Sequence, residues 1–110
     1  MTEPYFVSRQ KKYNKKMEEK KIEIKNRIEE MKKEIEEFKQ SQKSFKFKVY
    51  LFKLALDPKN KFSKEEYKEI NYLIESDSRM IPHYQEKITK IESTLYVFES
   101  MLSELEKNLK

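Results

Sequence analysis

The fold class this sequence predicts is all-α, an antiparallel two-helix hairpin with coiled-coil-like packing that completes a four-helix bundle by dimerisation or by binding a partner. Three observations predict it. Apolar residues recur at alternating spacings of four and three in two long tracts, the 3.5-residue repeat that keeps one seam against a partner helix. Between the tracts lies a short segment dense in helix-stop and helix-start signals. The chain has no glycine and only Pro4, Pro58 and Pro82, so little else interrupts helix. At 110 residues a hairpin of this length leaves nothing for a second core, and a single domain is expected.

Helix one is expected over about 8–56. Its seam reads Ile24, Ile28, Met31, Ile35, Phe38, then polar Gln42, then Phe45, Val49, Phe52, Leu56. Phe45, Phe47, Val49 and Leu51 also alternate, as a strand would. The longer heptad fit and the lack of a second strand favour helix.

The corner is expected over 57–62. Asp57-Pro58 stops helix one, because proline lacks an amide hydrogen and disfavours helical dihedrals in its predecessor. Ser63 is a good N-cap, Glu66 completes a capping box, and Phe62 and Tyr67 occupy the two positions of a hydrophobic staple.

Helix two is expected over about 63–109. Its seam reads Tyr67, Ile70, Ile74, then polar Asp77, then Ile81, Tyr84, Ile88, Ile91, Leu95, Phe98, Leu102, Leu105, Leu109. Pro82 would clash with the carbonyl of Ser78 and kink a helix, so residues 76–82 read as a kink or short break. Folding back symmetrically about the corner pairs Val49 with Ile70, Phe45 with Ile74, Phe38 with Ile81 and Ile35 with Tyr84. Gln42 and Asp77 then share one polar layer, an arrangement that costs stability and can fix pairing.

Two helices need one seam, yet apolar residues also lie off it. Phe47, Leu51 and Leu54 follow a helical spacing and are expected as a stripe beside the seam, with Tyr50 and Ala55 nearby. Tyr72, Leu73 and Met80 on helix two, and Tyr96, Val97 and Met101 further on, add to this surface. A wide apolar arc suits a multi-helix bundle better than an isolated pair. Phe47, Tyr50, Leu51, Leu54, Leu73 and Met80 are the expected protein-binding anchors. The expected partner is a second copy, a heterologous helical protein, or both.

Charge is uneven: +7 over residues 1–56 and −2 over residues 57–110. Lys39, Lys43, Lys46, Lys48 and Lys53 form a tract without an acid. The N-terminal lysines, Lys11, Lys12, Lys15 and Lys16 among them, offer a second class of reading, nucleic-acid binding through phosphate contacts. Against it, basic residues surround the helix rather than lining one stripe, and only Arg9, Arg27 and Arg79 are arginine, the residue that dominates specific base contacts.

Catalysis is not expected. His83 is the only histidine and there is no cysteine, which removes thiol chemistry, cysteine zinc sites and the usual nucleophilic triads. Without glycine no phosphate-cradling loop, dinucleotide fingerprint or calcium loop can form. No cofactor or metal is implied. No apolar run approaches the length of a membrane span or a signal peptide, so the expected compartment is the cytoplasm, with export by a non-classical route left open.

In size and hairpin outline the chain resembles the small helical partners of bacterial type VII secretion, some of which escort larger toxin substrates. That resemblance implies a partner or chaperone of a secreted protein. The hallmark Trp-x-Gly turn of that group is replaced here by Asp57-Pro58-Lys59-Asn60-Lys61-Phe62. Prefoldin-like chaperone subunits share the two-helix outline but need strands at the corner, which the capping signals do not supply. The functional expectation is a non-catalytic helical interaction module: an adaptor, a chaperone-like partner or an inhibitor of a larger protein.

Overall fold

The computed structural model of the chain is an antiparallel two-helix hairpin whose helices pack against each other. It describes residues 5–108, with side chains described from Asn14 onward. Helix α1 spans Tyr5–Ala55 and α2 spans Lys64–Asn108. Helix α1 thus covers the segment whose alternation also fitted a strand, and it begins three residues before the expected start. Leu109, the last seam position read from the sequence, lies outside the described residues.

Two compact units can be distinguished. One joins α1 up to Lys33 with α2 from Glu92 onward; the other is the continuous stretch Glu34–Ile91, which contains the corner. In the first unit Ile24, Ile28 and Met31 are buried, and Leu95, Phe98, Leu102 and Leu105 are half-buried. In the second, Ile35, Gln42, Val49 and Ile88 are buried. Phe38, Phe45, Phe52, Leu56, Tyr67, Ile70, Ile74, Asp77, Ile81, Tyr84 and Ile91 are half-buried there. Every described seam position is therefore shielded. Most are only partly so, because a seam between two helices covers each side chain from one side alone.

The corner matches its chemistry. The Ser63 Oγ accepts from the Glu66 amide at 3.1 Å, and the Ser63 amide donates to the Glu66 carboxylate at 3.2 Å. This reciprocal box satisfies two groups at the helix start that would otherwise lack partners. The Phe62 and Tyr67 rings meet edge-on, 5.6 Å apart, forming the staple. Before it, α1 ends in tightened i to i−3 bonds, from the Leu56 amide to the Lys53 carbonyl and from the Asp57 amide to the Leu54 carbonyl. The Asn60 side chain donates to the Ala55 carbonyl at 3.2 Å, satisfying one of the terminal acceptors.

The register differs from the symmetric fold-back. Tyr84 lies against Phe38 and Phe45, with ring centroids 5.9 and 5.8 Å apart, so its layer is that of Gln42 and not of Ile35. Gln42 meets the Ile81 carbonyl and Gln85, not Asp77. Asp57 turns the chain locally, its carboxylate accepting from the Lys59 amide and its carbonyl from the Asn60 amide. The Asn60 carbonyl then reaches the Tyr67 hydroxyl at 3.0 Å. The pairings of Gln42 and Tyr84 centre the reversal at about residues 62–63, a few positions past the midpoint between the helices.

Of the kink or short break expected at 76–82, no break forms: α2 is one continuous helix through Pro82. Proline removes one helical hydrogen bond, but the seam on both sides of it, Asp77 to Ile88, remains shielded. Packing on that face outweighs the loss of one backbone bond on the exposed face, where Pro82 sits.

Candidate docking surface

Helix α1 in the corner unit carries two apolar stripes. At about 100° per residue, Phe45, Val49, Phe52 and Leu56 cluster on the seam side, whereas Phe47, Tyr50, Leu51 and Leu54 cluster within about 100° of arc on the other side. The centres of the two clusters are about 180° apart. Exposure follows this geometry: Phe47 is 61% exposed, Tyr50 58%, Leu51 46% and Leu54 52%. The stripe expected beside the seam therefore faces away from α2.

Leu73 and Met80 behave differently. Both are half-buried, because they lie on the flanks of the α2 seam, next to Ile74 and Ile81 respectively. They are not part of the outward stripe, and four of the six expected anchors form one surface. Tyr72 is exposed but its helical neighbours Glu69, Glu75, Ser76 and Arg79 are polar, which leaves it a single ring in a charged surface.

The lysines around the stripe are set apart by sequence, five of them with no acid among residues 38–56. Some basic side chains elsewhere pair with acids one turn away, as in Lys20–Glu23 at 3.2 Å, Arg27–Glu30 at 3.2 Å and Arg79–Glu75 at 2.6 Å, while others, Lys15, Lys25 and Lys32 among them, do not. Among the described residues no ion pair engages Lys39, Lys43, Lys46 or Lys53. The Lys48 ammonium lies 5.1 Å from the centroid of the Phe45 ring, a cation–π contact. All five lysines are exposed.

The other unit holds a largely apolar groove of about 540 Å³ lined by Ile24, Tyr96, Val97, Met101 and Leu105 together with Lys20, Ser100 and Glu104. Tyr96, Val97 and Met101 were legible as off-seam apolar residues. The contribution of Ile24 and Leu105 was not, since it depends on how the seam pairs. Ile22 is also exposed and follows neither the seam nor the stripe.

Of the lysines considered for nucleic acid, Lys15 and Lys16 are exposed, and the side chains of Lys11 and Lys12 lie outside the described residues. His83 is exposed and its ring packs edge-on to Tyr84 at 5.7 Å. Among the described residues no group of three His, Cys, Asp or Glu side chains could hold a metal ion, and no helix is long and apolar enough to cross a membrane.

Compared with protein-family models, curated proteins and solved structures, the chain matches none.

Proposed function

We propose that this chain is a non-catalytic helical interaction module, an adaptor, chaperone-like partner or inhibitor, that completes a helical bundle by docking protein onto the outward stripe of α1. One observation carries the reading: Phe47, Tyr50, Leu51 and Leu54 lie together, exposed, on the face opposite the seam. A helix that packs against one neighbour needs one apolar stripe. A second stripe on the far side costs solubility unless something covers it, and contiguous exposed apolar surface usually marks an interaction site. The residue types fit as well, since aromatic and large aliphatic groups dominate interface energies. A second copy and a heterologous helix both satisfy this geometry, and each gives a bundle of more than two helices.

The test is co-purification from the native source combined with absolute mass in solution, for the natural chain and for Leu51→Asp. The expected result is a complex, with another protein or with itself, that the substitution weakens by about 2 kcal/mol or more. A monomer with no retained protein, or a complex indifferent to Leu51→Asp, would overturn the proposal. Salt-sensitive retention on RNA or DNA, lost when Lys15 and Lys16 are reversed in charge, would point to phosphate binding instead.

A further inference from the structure

We infer that the occupant of the α1 stripe is an acidic amphipathic helix, with aliphatic anchors for Phe47, Leu51 and Leu54 and carboxylates repeating along one flank. The inference rests on the docking reading above and adds the chemistry of the partner. Residues 38–56 contain five lysines and no acid, in a chain that is 41% charged and otherwise mixes the two signs. The lysines are ordered around the stripe. Lys39, Lys46 and Lys53 are seven residues apart and lie in one row; Lys46 and Lys53 border the stripe, with Tyr50 one turn from both, and Lys39 lies about 12 Å before Phe47. Lys43 stands at its N-terminal end.

The row spans about 21 Å, with successive charges about 10 Å apart. A partner helix laid along the stripe meets that row if its carboxylates recur every seventh residue on one side, the spacing at which flanking charges of paired helices select partners. The absence of ion pairs at Lys39, Lys43, Lys46 and Lys53 leaves these ammonium groups available without breaking an internal pair. The apolar positions supply contact area, and the charged rim supplies specificity and rate of encounter.

Size and setting disfavour the other anionic surfaces. From Phe47 to Leu54 the stripe is about 10 Å long, and the same face upstream carries Glu36, Gln40 and Lys43. A helix lying in a membrane interface needs a broader apolar face along its length. A phosphate backbone would place its charges over Phe47 and Leu51, which offer it nothing, whereas anchors spaced at i, i+4 and i+7 are how a groove or stripe reads a short helix.

The test uses the full chain against a displayed library of helical peptides. Leucine anchors are held at i, i+4 and i+7, and flanking positions are randomised among Glu, Gln and Lys. Enrichment of Glu at seven-residue intervals on one flank is expected. The selected peptides should bind on the order of tenfold more weakly to a Lys39→Gln, Lys46→Gln, Lys53→Gln variant, and the difference should vanish at high salt. All substituted positions are exposed, and circular dichroism checks that each variant keeps its helices. Peptides without Glu enrichment that still lose binding to Leu51→Asp would overturn the acidic partner and leave the docking reading intact. No selected peptide, or peptides indifferent to Leu51→Asp, would overturn both. Binding to phosphatidylserine vesicles in preference to every selected peptide would make a lipid surface the occupant and overturn the inference.

Discussion

The Gln42 side-chain amide donates to the Ile81 carbonyl at 3.2 Å and to the Gln85 side-chain oxygen at 3.1 Å. A buried amide in the middle of an apolar seam is thereby satisfied from the facing helix. Gln85 passes the connection on, donating to the Thr89 hydroxyl at 3.3 Å. Gln42 is the one polar residue among the buried seam positions, and its partners mark the pairing of α1 with α2 in the corner unit.

The first prediction concerns that pairing. Cysteines introduced into this cysteine-free chain at Phe38 and Tyr84 should cross-link with a short bis-maleimide faster than cysteines at Ile35 and Tyr84. Mass spectrometry of the linked peptides reads the result. The opposite order would restore the symmetric register, with Gln42 facing Asp77.

Replacing Gln42 by leucine removes a polar group from the seam without leaving a donor or acceptor buried alone, since Gln85 is exposed enough to turn to water. Gln42→Leu should leave stability unchanged or raise it by about 1 kcal/mol, because polar seam residues trade stability for specificity. Gln42→Ala, which opens a cavity instead, should lower it by about 1 kcal/mol or more. Urea unfolding followed by circular dichroism separates the two. A loss with leucine as large as with alanine would mean that the hydrogen bonds to Ile81 and Gln85 dominate.

At the helix start, Ser63→Ala should destabilise by about 1 kcal/mol, which corresponds to a fall in melting temperature of roughly 4–8 °C for a domain of this size. Glu66→Ala should cost less by itself, and little more once Ser63 is gone, because the two side chains form one reciprocal box. A thermal double-mutant cycle measures the coupling. Fully additive losses would mean that the two bonds act independently.

Pro82 occupies an exposed position inside α2. Pro82→Ala restores an amide for the Ser78 carbonyl, and the melting temperature should rise by the equivalent of about 1–3 kcal/mol. A variant less stable than the natural chain would show that the local geometry imposed by proline is needed for the packing of Asp77 and Ile81.

Burial separates the apolar residues energetically. Met31→Ala and Ile88→Ala, at 1% and 2% exposure, should each cost about 2–5 kcal/mol. Ile22→Ala and Leu51→Ala, at 59% and 46% exposure, should change stability by no more than about 0.5 kcal/mol. Chemical denaturation of the four variants is the check. A large loss at Leu51 in the monomer would mean that the stripe supports the fold and is not free for a partner.

Much of this was legible in the residues themselves. Ser63, Glu66, Phe62 and Tyr67 specify the start of α2 through contacts no more than five positions apart, so no knowledge of the rest of the chain is needed. The seam follows from periodicity in the same way: every position from Ile24 to Leu56 and from Tyr67 to Leu105 that carries the repeat is shielded. Phe47, Tyr50, Leu51 and Leu54 could be picked out because they break that repeat. Their placement opposite the seam was available from helical angles. Leu73 and Met80 looked equivalent to them in composition and were separated only by their position on the flank of the α2 seam.

What the sequence by itself determined is that the chain forms two helices, where α2 begins and which face of each helix is turned inward, since capping and periodicity act over one or two turns. What only the tertiary structure decided is which residue faces which. Sliding one heptad seam along another by a layer exchanges every partner yet leaves each side chain on the same face, so the repeat cannot choose among such registers. The choice falls to contacts between residues far apart in the chain, among them those of the one buried amide, Gln42, which meets the Ile81 carbonyl and Gln85.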